Sequence, residues 1–227
     1  MNLKDKIVVI IGGSQGLGKA LAVGFIDEGS LVAIVSRNVD SINKSAKEIG
    51  ATPFVADVRN EKDLRLVAEL VIAKFGKIDV WINSAGVFKI FSKDDLLDMG
   101  RAHELMDVNF FGTVLGCKTA ISFMKDEGVV INILSSAALD ATRAVNAELY
   151  AASKWAVRGF VDALRGTNKT GIKFYSIYPG GIKTHLHDEA LPSNFGDFMN
   201  AEYVVKKIIT NLKQDIPESD LIIKRPI

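Results

Sequence analysis

A single cysteine, Cys117, stands among 227 residues, which excludes an intramolecular disulfide and a cysteine-rich zinc site. Prolines number only five, too few to interrupt long regular elements, while nineteen glycines are available for special turns. An excess of one charge is also missing. The 28 Lys and Arg balance 27 Asp and Glu, for a net charge of +1, so there is no electrostatic case for a nucleic-acid or anionic membrane partner. No apolar run approaches about eighteen residues, so no membrane-spanning helix is expected. The first apolar run, residues 7–11, is too short for a signal-peptide core and leads into glycines. What remains, 48% apolar and 24% charged, is ordinary globular composition. The length suits one domain over residues 1–227, and a reduced, cytoplasmic protein is the expectation.

Short apolar segments rich in β-branched residues recur at 7–11, 31–35, 53–56, 80–82, 129–134, 174–178 and 221–223. Runs this continuous suit strands buried on both faces, as in a parallel sheet. Between them lie stretches with helical spacing. Leu17, Leu21, Phe25 and Glu28 share one stripe, Leu64, Val67, Leu70, Val71 and Phe75 a second, and Val204, Val205, Ile208, Ile209 and Leu212 a third. Asn60 reads as a helix N-cap, with Glu61 and Asp63 suited to the positive helix end. Gly29, Gly50 and Gly76 read as helix stops in the left-handed conformation. Strand–helix alternation along the whole chain means βαβ units with right-handed crossovers. The expected fold is α/β: a single-domain Rossmann fold, a doubly wound seven-stranded parallel sheet with about six helices on its two faces. Residues 185–200 lack periodicity and read as a long functional loop.

The first strand runs into Gly12-Gly13-Ser14-Gln15-Gly16-Leu17-Gly18, and a helix follows. A strand–glycine turn–helix unit points backbone N–H groups and a helix N-terminus at an anion, and glycine lets a pyrophosphate and the helix approach closely. The second strand ends at Ser36-Arg37-Asn38. An acid there would hold a ribose 2′-hydroxyl and select NAD. Ser36 stands in that place with Arg37 beside it, and a guanidinium suits a 2′-phosphate because it is planar, always charged and bidentate. NADP is therefore favoured over NAD.

Tyr150-Ala151-Ala152-Ser153-Lys154 places Tyr150 and Lys154 on one helix face. A free tyrosine has a pKa of about 10, too high for a base at neutral pH. A neighbouring ammonium is expected to lower it, so that Tyr150 donates a proton to a carbonyl oxygen or takes one from an alcohol.

Other motifs keep company with this pair: Asp57-Val58 after the third strand, Asn83-Ser84-Ala85-Gly86 after the fourth, Asn109 in Asp107-Val108-Asn109, Ser135 in Asn132-Ile133-Leu134-Ser135, and Pro179-Gly180-Gly181-Ile182 with Thr184. Together with the Gly-x-x-x-Gly-x-Gly turn they resemble the short-chain dehydrogenase/reductase family of the Tyr-x-x-x-Lys type along nearly the whole chain. The resemblance implies a carbonyl/alcohol oxidoreductase acting on a small-molecule substrate, with NAD(P) as cofactor and no catalytic metal. It also implies roles. Asp57 with Val58 contacts the adenine, Asn83, Ala85 and Gly86 form a cofactor-side turn, and Asn109 supports a proton relay. Ser135 holds the substrate oxygen. Pro179, Gly180, Ile182 and Thr184 lie beside the nicotinamide, and Lys154 also holds its ribose. Ile11 stands where the family has Thr before the first glycine. The Ser135-to-Tyr150 spacing is longer than the family's usual one. Strand alignment favours Ser135 as the catalytic serine and spacing favours Ser136, and the choice between them stays open. The segment from Arg165 to Gly171 reads as a few residues short.

Several residues read as structural. His185 and His187 lack a third ligand for a metal, His103 belongs to a helix surface, and Cys117 sits in an apolar helix where nothing lowers its pKa. Asp94-Asp95 and Lys206-Lys207 are solvated faces. Two helices are apolar over more than one stripe, one carrying Phe110, Phe111, Val114, Leu115 and Phe123, the other Trp155, Ala156, Phe160 and Leu164. Core packing explains such faces, and so does the family's pairing of copies as a homodimer or homotetramer. Two alternatives stand beside the NADP-dependent enzyme: a dinucleotide-binding regulator without turnover, and a reductase of carrier-bound acyl ketones. The acids Asp188, Glu189 and Asp197 argue against the latter.

Overall fold

The structure is a computed structural model that describes residues 1–91, 98–124, 127–144, 146–187, 191–192 and 194–226. Asp94-Asp95 and the loop acids Asp188 and Glu189 lie outside the described residues. Seven strands form one parallel sheet: β1 (Ile7–Ile11), β2 (Leu31–Ser36), β3 (Thr52–Val55), β4 (Val80–Asn83), β5 (Val129–Ile133), β6 (Lys173–Pro179) and β7 (Asp220–Ile223). Their order is β3-β2-β1-β4-β5-β6-β7. Each strand lies within a residue of its expected position at either end, which is the ordinary fraying of element boundaries.

The helices are α1 (Gly16–Asp27), α2 (Val39–Ile49), α3 (Glu61–Phe75), α4 (Met99–Met106), α5 (Gly112–Phe123), α6 (Glu148–Thr167) and α7 (Ala201–Leu212). A π-helical turn, Asp107–Phe111, joins α4 to α5 without a break in helical backbone, so the two make one long rod and the expected helix count holds. Asn60 caps α3 by accepting from Lys62 N–H, and the left-handed Gly50 and Gly76 end α2 and α3. Gly29 has a φ of +82° just past α1.

The alternation of side chains along β1 explains the layering. Val8 and Ile10 point to the face covered by α1 and α7, with Leu21, Phe25, Val204 and Ile208. Ile7, Val9 and Ile11 point to the face covered by α3, α5 and α6, with Leu64, Val71, Cys117 and Val161. Each fully buried aliphatic or aromatic side chain stabilises the fold by about 1.5–3 kcal/mol. The short turn after α6 works because Asn168 replaces missing backbone partners. Its Nδ2 donates to the carbonyls of Thr170 and Ile172 at 3.1 Å each.

The chain winds outward from β1 to β3 and returns to place β4 beside β1. A crevice therefore opens at the carboxyl ends of β1 and β4, the switch point where open α/β sheets take their ligands. The 185–200 segment is more regular than a plain loop. It holds short 3-10 turns at His185–His187 and Phe195–Asp197. Ile182 bridges Met199, which draws the segment closed at its base.

Candidate active site

A cleft of about 1700 Å³ runs across the carboxyl ends of the strands. A single drug-sized ligand fills about 300–1,000 Å³, so this one has room for a long ligand and a second molecule. Its floor at one end is the turn after β1. Gly12 has a φ of +85°, and a Cβ there would meet Ala85 Cα at 2.7 Å. A Cβ on Gly18 would lie 2.1 Å from the Gly12 carbonyl oxygen. These two contacts set α1 directly on the turn and bring the Ser84–Gly86 backbone against it. The N-terminus of α1 has no side-chain cap and no acid in its first turn, whereas α2, α3 and α4 are capped by Asn38, Asn60 and Asp98. Its free N–H groups and positive dipole end therefore suit a phosphate. Ser14 Oγ donates to Ser36 Oγ at 3.1 Å, and Ser45 Oγ donates to the Ser14 carbonyl at 2.6 Å, which holds the turn's shape.

Beyond Ser36, charged groups gather at the cleft end. Asp57 accepts from Arg59 Nε at 2.9 Å and 3.1 Å, and hydrogen bonds from Arg59 hold its carboxyl below the usual carboxylate range. Lys89 pairs with Glu104 and lowers that carboxyl in the same way. Arg37 adds a weaker favourable field on both acids. Arg59 and Lys89 are each held in an ion pair, while among the described residues Arg37 forms none. It is exposed and lines the cleft.

At the other end stand Tyr150, Lys154 and Ser135, all lining the cleft. Ser135 leaves β5 in extended backbone and caps the 3-10 turn Ser136–Ala138, with its Oγ accepting from Ala137 N–H. The same side chain lowers the Tyr150 phenol's pKa. Ser136 lines the cleft too, but Ser135 is the serine whose side chain acts on the phenol. Lys154 is only 5% exposed. Its Nζ donates to the Ile133 carbonyl at 3.1 Å and lies 5.7 Å from the Tyr150 ring centre.

The titration behaviour differs from the expectation. Burial pushes the Tyr150 phenol above its usual value, an effect the Ser135 side chain only partly offsets. Burial also pulls Lys154 down to about 8. Desolvation disfavours both charged forms, and in the protein alone it sets the direction of the Tyr150 shift opposite to the expected lowering.

Gly12, Ser14, Gln15, Gly16, Leu17, Gly18, Ser36, Arg37, Asp57, Val58, Ala85, Gly86, Pro179, Gly180, Ile182 and Thr184 all line the cleft. Thr184 lies across it from Gly16, whose Cβ would be 3.4 Å from the threonine Cβ. Three expected site residues do not line it. Asn38 spends its side chain on capping α2. Asn83 is buried, accepting from Trp81 Nε1 and donating to Asn132 Oδ1 at 2.8 Å. Asn109 is fully buried beneath the site: its Oδ1 accepts from Val87 N–H at 2.8 Å, while its Nδ2 donates to the Val87 carbonyl at 2.9 Å and to Ser153 Oγ at 3.2 Å. It sits within the π-helical turn, a distortion that recurs at functional sites.

Arg59, Phe88, Lys89, Glu104 and Ser153 escaped the sequence reading. Only Ser153 left a local signal, three residues after Tyr150 on one helix face, where its Oγ donates back to the Tyr150 carbonyl at 2.7 Å. Asp197 is paired with Arg225 at 3.3 Å, so it no longer argues for an acidic pocket mouth. Among the described residues no three His, Cys, Asp or Glu side chains cluster as metal ligands would, and no helix is long and apolar enough to cross a membrane.

Comparison with known proteins agrees with this geometry. The family model for short chain dehydrogenases matches residues 6–194. An 11-beta-hydroxysteroid dehydrogenase-like protein of Arabidopsis thaliana is 31% identical over 213 residues, 90% of this chain and 68% of the relative. An uncharacterized oxidoreductase of Listeria monocytogenes is 31% identical over 196 residues, 82% of this chain and 78% of the relative. The ligand-free structure of an aldohexose dehydrogenase from Thermoplasma acidophilum shares the fold, with a TM-score of 0.83 at 24% identity, covering 99% of this chain and 97% of that one. A parallel sheet wound about the β1–β4 switch point, an uncapped helix over a glycine cradle and a match across most of the chain lead to one conclusion: the protein belongs to the short chain dehydrogenase family, oxidoreductases that act on CH–OH groups with NAD(P) as acceptor.

Proposed function

We propose that the chain is a single catalytic domain that interconverts a carbonyl, ketone or aldehyde, and its alcohol, with NADP(H) as cofactor and Tyr150 as the general acid and base. The observation that carries this reading is the Ser135–Tyr150–Lys154 grouping at the inner end of a cleft whose outer end holds an anion cradle. The nicotinamide supplies or takes up the hydride when bound.

In reduction the carbonyl carbon gains the hydride and its oxygen takes the Tyr150 proton, so C=O becomes CH–OH. Ser135 donates to the same oxygen and orients it. Because burial keeps the phenol protonated at neutral pH, the acid needed for reduction is in place. Lys154 stabilises the phenolate left behind, and it keeps its charge below about pH 8. Asn109 and Ser153 act through position, holding α6 against the Val87 backbone.

Ser14, Gln15 and the N–H groups of Gly16 to Gly18 would hold the pyrophosphate, and Ser36 with Arg37 would hold the 2′-phosphate. Asp57 and Val58 would flank the adenine. Pro179, Gly180, Ile182 and Thr184 would bound the nicotinamide side. The hydroxysteroid dehydrogenase-like name of the Arabidopsis relatives supports an alcohol–carbonyl couple. Phe111, 51% exposed at the end of the π-helical turn, and Trp155, 43% exposed on α6, support pairing of copies as a homodimer or homotetramer, which light scattering reads directly. A cytoplasmic location fits the buried, unpaired Cys117.

Absorbance at the reduced-nicotinamide band across ketones and aldehydes tests the reading. Turnover that Tyr150→Phe abolishes supports it. No turnover with either NADPH or NADH, alongside normal cofactor binding, makes the chain a dinucleotide-binding protein instead.

A further inference from the structure

We propose that the substrate side of the cleft is built for a carbonyl compound, or the matching alcohol, with apolar substituents, and that Phe88 selects it. The inference rests on Tyr150 marking where the substrate oxygen goes. Tyr150 is not set among the polar groups of the cofactor end. It belongs to a small apolar cluster of its own, with Phe91, Leu105 and Ala147 buried and Val87, Phe88 and Ala144 packed against them. The Phe88 ring meets the Tyr150 ring edge-on, with centres 5.0 Å apart and planes at 72°, and both residues line the cleft. Leu139, Leu186 and Phe198 extend the same lining.

Among the described residues the polar lining here includes Ser136, Asp140, Asn146, His185, Asn194 and Asp197, none of them part of the apolar cluster around Tyr150, and both acids are engaged. Asp140 accepts from the Thr142 N–H and hydroxyl at 3.1 and 2.6 Å, and Asp197 is paired with Arg225. A polyol would bring several hydroxyls against this wall, and each one that leaves water without a partner carries a desolvation cost. An alkyl or aryl group gains by leaving water, and the edge-on Phe88 offers it an aromatic wall close to the reacting carbon. The chemistry on the page therefore separates apolar ketones from sugars at the substituent, while the reacting oxygen sees the same Tyr150 and Ser135 in either case.

The test compares cyclohexanone and D-glucose as probes, using the cofactor-loaded protein and its Phe88→Leu and Phe88→Ala variants. Melting curves show that the variants fold. Cyclohexanone is expected to exceed D-glucose at least about 100-fold in kcat/KM. Phe88→Ala should lower cyclohexanone kcat/KM by about 10- to 100-fold, mainly through KM, and Phe88→Leu should keep most of it. Preference for D-glucose, or an unchanged Phe88→Ala, overturns the inference and leaves the acid–base reading standing. Calorimetry on the loaded protein separates the two ideas further. Binding of cyclohexanol without binding of D-glucose, in the absence of turnover, supports the apolar site and counts against Tyr150 chemistry. Equal binding of both probes overturns the apolar site.

Discussion

Asn109 Nδ2 donates to Ser153 Oγ at 3.2 Å, and this bond ties the rod formed by α4 and α5 to the helix that carries Tyr150 and Lys154. Asn109 also brackets Val87 by both its N–H and its carbonyl, so three separate segments meet on one buried amide. Removing the two partners should have unequal effects. Ser153→Ala removes two bonds, the one from Asn109 and its own to the Tyr150 carbonyl, and is expected to cost about 1–2 kcal/mol. Asn109→Leu strands the Val87 N–H and carbonyl, with about 1–3 kcal/mol for each group left unpaired. Urea midpoints measure the difference, and equal losses would show that the amide does not join the segments.

Tyr150→Phe deletes the proton donor and leaves the ring packed against Phe88. A kcat loss of about 10²–10⁴-fold is expected, with a melting temperature near that of the parent. Ser135→Ala should lower kcat while Ser136→Ala leaves it nearly unchanged, because Ser135 is the serine whose side chain acts on the phenol. The reverse ranking would move the catalytic role to Ser136.

Arg37 is the cation outside the Arg59 and Lys89 ion pairs at the outer end of the cleft. Arg37→Ala is expected to weaken NADP binding about 10- to 100-fold, the range of a charge-assisted contact. NAD should be left nearly unaffected. Fluorescence titration with both nucleotides checks this, and parallel losses for the two would remove Arg37 from the 2′-phosphate site.

Two glycines should respond in opposite ways. A Cβ on Gly116 would stand 2.0 Å from Asn83 Oδ1, so Gly116→Ala displaces the buried Asn83–Asn132 pair and destabilises the fold. A Cβ on Gly166 meets nothing within 4 Å, and the residue is exposed in the last turn of α6. Gly166→Ala is expected to stabilise by about 0.5–1 kcal/mol through helix propensity. Denaturation of both variants by urea reads the two signs.

Cys117 and Lys154 oppose each other in alkali. Burial pushes the Cys117 thiol up to about 12, above an unfolded value of about 8.5. The unfolded chain therefore loses a proton that the folded chain keeps, and this contribution to stability falls as pH rises above about 8.5. Lys154, pulled down to about 8, has an unfolded value of about 10.4. Between these values the unfolded chain holds the extra proton, so the lysine contribution rises with pH. Cys117→Ala should therefore gain on the parent in melting temperature from pH 8 to 10, and Lys154→Met should lose ground. A gap that stays constant over this window for both variants would contradict the assignments.

The strands, the glycine turn and the Tyr150–Lys154 spacing were legible because they are written between near neighbours in the chain. A β-branched run, a residue without Cβ, or two side chains one helical turn apart carries its consequence locally. The Asn60 cap and the glycine helix stops were readable for the same reason. The direction of the Tyr150 shift was not, since it depends on how much water residues such as Phe88, Phe91, Leu105 and Ala147 exclude, and desolvation is a sum over distant elements. The Arg59 fork on Asp57 lay within a few residues, but its significance came from the Lys89–Glu104 pair brought alongside by α4. Phe88 carried no signal until folding set its ring against Tyr150. By itself, the sequence determined a parallel sheet with an anion cradle and a Tyr–Lys helix. Only the tertiary structure decided which serine acts on the phenol, which cation stands outside the ion pairs and what surrounds the reacting oxygen. The reason is that burial and charge balance belong to surfaces assembled from segments far apart in the chain.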